Sequence, residues 1–162
     1  MAVTVPLPSS DTMEVRLMAK VDAPAIHELH RACLTRSLRE RYTDAQIAAW
    51  LKGRPPDGYL RAAEDGETFL VACADGAVIR YASWQNGELL SLFVHPDFHH
   101  AGVGSRLFET CSDEAARNDA PITQVKAALG AEGFHLRHGL KSVTTGSTIK
   151  QGVEIPDTRV VR

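Results

Sequence analysis

The chain has 162 residues, enough for one domain with a buried core, and 44% hydrophobic with 23% charged residues is an ordinary globular balance. A formal net charge of −2 gives no basis for a nucleic-acid or anionic-membrane partner. No apolar run is long enough for a transmembrane helix.

The opening MAVTVPLPSSDTMEV lacks the basic start and long apolar run of a signal peptide. Its prolines and serines are read as a flexible leader over residues 1–12, followed by a single domain over 13–162. Cys33, Cys73 and Cys111 are odd in number, far apart and set in apolar stretches. They read as small buried hydrophobes in a reducing, cytoplasmic protein.

Glu14–Ala19 alternates as a first strand. Asp22 is expected as N-cap of a helix with Pro24 in its first turn and Ile26, Leu29, Cys33 and Leu34 on its apolar face. Thr43-Asp-Ala-Gln46 is a capping box opening a second helix with Ile47, Trp50 and Leu51 on one side. Gly53-Arg-Pro-Pro56 is expected to end it.

Phe69–Ala74, Val78–Trp84 and Glu88–Val94 are strands separated by Asp75-Gly76 and Asn86-Gly87. Such two-residue turns tolerate positive φ and join antiparallel neighbours, so residues 69–94 form a meander. Ser105 to about Asn118 is then helical, Ile122–Ala128 a strand, and Gly130–His138 a helix stopped by Gly139. Strands around Lys141–Ile149 and Val153–Val161 follow, the last weakened by Pro156. The pattern is α+β with one mixed sheet.

The stretch VHPDFHHAGVGSRL links the third meander strand to the helix. A glycine loop at a helix start presents unpaired N–H groups, and the helix dipole favours an anion there. Gly102 and Gly104 leave room for a pyrophosphate, with a plain tight turn as the alternative. It is not a Walker A loop, because Gly104 is followed by Ser105 and Arg106. Nor is it a Rossmann fingerprint, because Leu107 stands where the third glycine belongs. His95, His99, His100 and Asp97 crowd one short loop with no second ligand cluster, so no metal is expected.

At these residues the chain resembles the GNAT superfamily of acetyl-CoA-dependent N-acyltransferases. The family's strand ending V-x-P and its [Gln/Arg]-x-x-Gly-x-[Gly/Ala] loop correspond to Leu92-Phe-Val94-His-Pro96 and His99-His-Ala-Gly102-Val-Gly104. A later A-x-x-F-Y-x-x-x-G-F signature corresponds to Ala131 through Leu140. The resemblance runs from about Met13 to Arg162. It departs at His99, where the family has Gln or Arg, and at His135, where tyrosine is frequent.

The resemblance implies a mixed, mostly antiparallel sheet of about seven strands with about four helices, in the order β-α-α-β-β-β-α-β-α-β-β. It implies acetyl transfer from acetyl-CoA to a primary amine by direct attack in a ternary complex, without a metal. The backbone of Phe93 and Val94 would then bind the pantetheine arm and thioester oxygen. One N–H aimed at the oxyanion is worth about 3 kcal/mol. Backbone amides over His99, His100, Ala101, Gly102, Val103, Gly104 and Ser105 would cradle the pyrophosphate.

His135 is the candidate general acid toward the departing thiolate, or merely lines the channel. Glu88 is the candidate general base, or a solvated carboxylate at a hairpin end; a water relay competes with it. Trp50, Trp84 and Tyr42 belong either to the acceptor pocket or to the core. The acceptor is a small-molecule or peptide amine, and the family allows a homodimer. A non-catalytic coenzyme A-binding module is the alternative, and a nucleotide- or phosphosugar-binding protein a third.

Overall fold

The computed structural model describes residues 13–98 and 103–162. Its sheet is organised by three tight turns, at Asp75-Gly76 (φ 50° and 79°), Asn86-Gly87 (51° and 79°) and Gln151-Gly152 (52° and 74°). Positive φ at both central residues matches the right-handed twist of a hairpin. The turns join β2 (Thr68–Ala74) to β3 (Ala77–Gln85), β3 to β4 (Glu88–Val94), and β6 (Ser142–Lys150) to β7 (Val153–Val161). β1 (Met13–Leu17) adds antiparallel to β2.

From β4 the chain passes through α4 (Val103–Arg117) to β5 (Gln124–Ala127), which lies parallel to β4 and antiparallel to β7. The seven strands run β1-β2-β3-β4-β5-β7-β6. α1 (Ala23–Ala32) continues into a π-helical turn at Cys33–Ser37, followed by α2 (Asp44–Lys52) and α3 (Pro56–Glu64). A short α5 (Glu132–Arg137) precedes β6, and Gly139 leaves it at φ 94°.

Alternation along the strands builds two cores. Phe69, Val71, Cys73 and Tyr81 pack under α1 and α3 with Ile26, Leu29 and Tyr59. Leu70, Ala82, Leu89, Val125 and Val160 pack on the other face against Leu107, Phe108, Cys111 and Ala115 of α4.

Five α-helices are present among the described residues, where four were expected. The missed one is α3: Pro55-Pro56 reads as a terminator, yet Pro56 takes the first helical position, where its missing N–H costs nothing. Asp22 does not cap α1 with its side chain. Its carboxylate accepts the Ala19 N–H at 2.7 Å and both Arg16 Nη atoms at 2.7 and 3.0 Å. Hydrogen bonding to Arg16 holds its pKa below the ordinary value. β1 ends at Leu17, and β5 begins only at Gln124, where its pairing with both β4 and β7 starts. Pro156 leaves β7 intact, paired across from Ser147.

Candidate active site

The decisive local feature is one extra residue in β4. Ser83 pairs with Ser91 and Trp84 with Leu89, so Leu90 is a β-bulge. A bulge bends its strand and increases the local twist. β4 pairs with β5 only at Glu88–Gln124 and Leu89–Val125, and the ladder stops where the bulge begins. From Leu90 to Phe93, the β5-facing edge of β4 has no strand partner among the described residues. A cleft of about 250 Å³ opens there, walled by Leu90–Phe93 on one side and Lys126–Ala128 on the other.

Helices α1 to α3, together with strands β3 and β4, supply the cleft's aromatic wall. His30, Trp50, Tyr59, Tyr81 and Phe93 all line it, with ring centroids of His30 and Phe93 4.7 Å apart. His30 Nδ1 lies 2.9 Å from the Tyr59 hydroxyl, while its buried Nε2 has no hydrogen-bond partner among the described residues. Burial, then the nearby Arg54 charge, pushes its pKa down to about 3. The imidazole is neutral at physiological pH. Burial raises the Tyr59 and Tyr81 phenols, which stay protonated.

Charged groups line the same cleft. Glu67 is buried and accepts a hydrogen bond from Ser83 Oγ at 2.6 Å, with Arg54 Nη2 3.9 Å from its other oxygen. Asp157 is held by Arg159 at 2.6 and 3.2 Å over Gly146. A Cβ there would fall 2.8 Å from Asp157 Oδ1, so this glycine permits a close approach. Lys126 and Lys150 complete the polar wall.

Of the residues expected from sequence, Phe93 and His135 line this cleft. Val94 ends β4 opposite Arg80, and its carbonyl accepts the Cys33 thiol at 3.2 Å. Val103, Gly104 and Ser105 form the first turn of α4, whose leading amides have no intrahelical acceptor. His99, His100, Ala101 and Gly102 lie outside the described residues.

His135 is buried on α5 among Phe108 and Phe134, its Nδ1 without a hydrogen-bond partner among the described residues, and burial followed by the nearby His138 pushes its pKa down to about 4. Glu88 stands apart: it accepts from Gln124 Nε2 at 2.5 Å and lines a separate depression with Gln85, Gly87 and Thr123. Trp50 lines the cleft, whereas Trp84 is buried in the α4 core and Tyr42 is buried between α2 and β7. The three cysteines are buried and free, and burial raises each thiol, Cys33 and Cys111 up to about 12.

Sequence reasoning passed over Arg54, Glu67, Lys126, Lys150 and His30. The charged residues occupy polar strand or loop positions that look solvated. His30 did carry a signal, because it lies four residues after Ile26 on the apolar face of α1.

The model of the acetyltransferase (GNAT) domain matches residues 38–157, which include the whole splayed β4–β5 junction. The chain belongs to the GNAT acetyltransferase family. An uncharacterized N-acetyltransferase of Archaeoglobus fulgidus is 31% identical over 103 residues, 61% of this chain and 70% of that protein. Mycothiol acetyltransferase of Amycolatopsis mediterranei is 36% identical over 73 residues, 40% of this chain and 24% of that longer protein.

Among solved structures, a GCN5-related N-acetyltransferase from Rhodopseudomonas palustris superposes with TM-score 0.82 at 18% identity, covering 98% of each chain. PaiA N-acetyltransferase from Thermoplasma acidophilum, in complex with coenzyme A, gives 0.72 at 18%, covering 93% of this chain and 99% of that one. These likenesses show the GNAT fold. As a GNAT member the chain is an N-acetyltransferase, and the bulge at Leu90 is where its sheet opens. No helix among the described residues is long and apolar enough to cross a membrane.

Proposed function

We propose that this protein transfers the acetyl group of acetyl-CoA to a primary amine by direct attack within the cleft between β4 and β5. The observation that carries the reading is the unpaired β4 edge beyond the Leu90 bulge. An extended chain of amides, such as pantetheine, can pair with such an edge as another strand would. The α4 first turn from Val103 to Ser105 begins a helix, whose leading amides have no intrahelical acceptor and whose dipole favours a pyrophosphate. The edge and the helix start therefore fit the two chemically distinct parts of coenzyme A.

Acetyl-CoA supplies an activated acyl group, and the protein's residues manage the proton and the charge. The backbone at Phe93 and Val94 is the proposed donor set for the thioester oxygen. Glu67 is the proposed proton acceptor for the amine, directly or through a water. It is the buried carboxylate on the cleft wall whose close hydrogen bond comes from a neutral hydroxyl, Ser83. His135 faces the cleft as a neutral imidazole, suited to hydrogen-bonding a departing thiolate and not to delivering a proton as imidazolium. The ammonium loses one proton to Glu67, the free amine forms the C–N bond to the acetyl carbon, the C–S bond breaks with its electron pair leaving on sulfur, and the remaining extra N–H proton passes to that thiolate, which completes one transfer.

The test couples calorimetric binding of coenzyme A to thiol release from acetyl-CoA with a panel of primary amines. Binding together with amine-dependent thiol release is expected. Absence of coenzyme A binding would overturn the reading.

A further inference from the structure

Three cationic side chains share the cleft wall formed by the α2–α3 connection with β5 and β6: Arg54, Lys126 and Lys150. Val125 and Ala127 point into the α4 core, so Lys126 between them projects to the opposite face. Lys150 comes from the end of β6 and abuts the end of α2, where a Cβ on Gly53 would lie 3.8 Å from Lys150 Cβ.

The carboxylates on this wall are already engaged. Glu67 is bound by Ser83 and faces Arg54, and Asp157 is held by Arg159. Among the described residues, neither Lys126 nor Lys150 has a carboxylate within 4.0 Å. Burial lowers the pKa of both lysines; Asp157 opposes this at Lys126, while at Lys150 Arg54 and Lys126 lower it further against a smaller opposing influence of Glu67. Two half-buried ammonium groups directed into one cleft make a receptor for an anion that would relieve their mutual repulsion.

We propose that the acceptor is a primary amine carrying its own carboxylate or phosphate, with Lys126 and Lys150 receiving the anion while the amine faces Glu67. This deepens the acetyl-transfer reading and rests on it. The cofactor's phosphates are assigned elsewhere, because α4 packs on the opposite face of the sheet. The cleft of about 250 Å³ is shared with the end of the cofactor arm, which leaves room for only a small acceptor.

The experiment compares matched acceptors on the wild-type protein: glycine and the primary-amine L-amino acids without a side-chain carboxylate against their α-amides, and phosphoethanolamine against ethanolamine. For at least one pair, kcat/KM for the anionic member should exceed that for the neutral one by about tenfold or more. Which pair responds separates carboxylate from phosphate. Lys126→Met and Lys150→Met should each raise KM for that anionic acceptor about tenfold or more, and change KM for its neutral partner by less than about twofold. Calorimetric affinity for coenzyme A should stay within about twofold of wild type.

Equal use of charged and neutral members overturns the proposal, as does an equal KM rise for both in the lysine variants. A parallel loss of coenzyme A affinity also overturns it, by assigning the lysines to the cofactor. Silence of every acceptor while coenzyme A binds counts against it too. Failure of coenzyme A to bind wild type is the separate signature that the acetyl-transfer reading itself has failed.

Discussion

The Tyr42 hydroxyl donates to the Pro156 carbonyl at 2.9 Å, tying the segment before α2 to β7. The same oxygen accepts the Leu129 N–H at 2.9 Å, so one phenol joins three segments. Burial raises its pKa, and the donor is present throughout the neutral range. Tyr42→Phe removes the hydroxyl and leaves a backbone donor and acceptor without that partner. A loss of about 1–3 kcal/mol in urea unfolding is expected, with an unchanged m-value. Because Ala128 and Pro156 line the cleft, acceptor KM should rise while the fold is retained. A loss below about 0.5 kcal/mol would show that water replaces the phenol.

Acid should destabilise the protein over a defined window. His30 and His135 have folded pKa values of about 3 and about 4, both below the ordinary 6.5. The unfolded chain therefore binds more protons than the folded one below pH 6.5. Stability fully present above 6.5 is lost as pH falls, until each folded value is reached. The two histidines together predict a slope of about 3 kcal/mol per pH unit near pH 5. His135→Leu should remove about half of that slope, whatever its constant effect on stability. Urea midpoints from pH 4.5 to 7 provide the measurement, and an unchanged slope in the variant would show that His135 is not buried neutral.

Catalysis provides an independent reading of the same imidazole. With a pKa of about 4, His135 does not change charge between pH 6 and 9. His135→Phe is expected to lower kcat by less than about tenfold, without altering the shape of the pH profile. If a limb near pH 6.5 disappears in the variant, cofactor binding has raised the imidazole's pKa and it serves as an acid.

Local chemistry made most of the framework readable. Asp-Gly and Asn-Gly turns encode positive φ directly, and Thr43 and Gln46 form the reciprocal cap their spacing requires, at 2.9 and 3.1 Å. The glycine loop and the Phe134-His135 segment carried the family resemblance. The cleft was not readable, because a bulge is a mismatch between two strands and Leu90 looks like any apolar strand residue. Its charged lining was hidden for a related reason. Arg54, Glu67, Lys126 and Lys150 come from four separate segments, and the sheet alone brings them together.

The choice between Glu67 and Glu88 as proton acceptor can be made by parallel substitution. Glu67 is buried on the cleft wall beside Ser83, whereas Glu88 lies in a separate depression and is hydrogen-bonded to Gln124. Glu67→Gln keeps the size of the side chain and an oxygen to accept from Ser83, but removes the basic carboxylate. It should lower kcat about 100-fold or more while KM for acetyl-CoA stays within about threefold. Glu88→Gln should leave kcat within about twofold, since it alters a hairpin end away from the cleft. Circular dichroism and melting temperature establish that both variants are folded. Equal, small effects would assign the proton to a water relay, and a large loss confined to Glu88→Gln would move the base to β4.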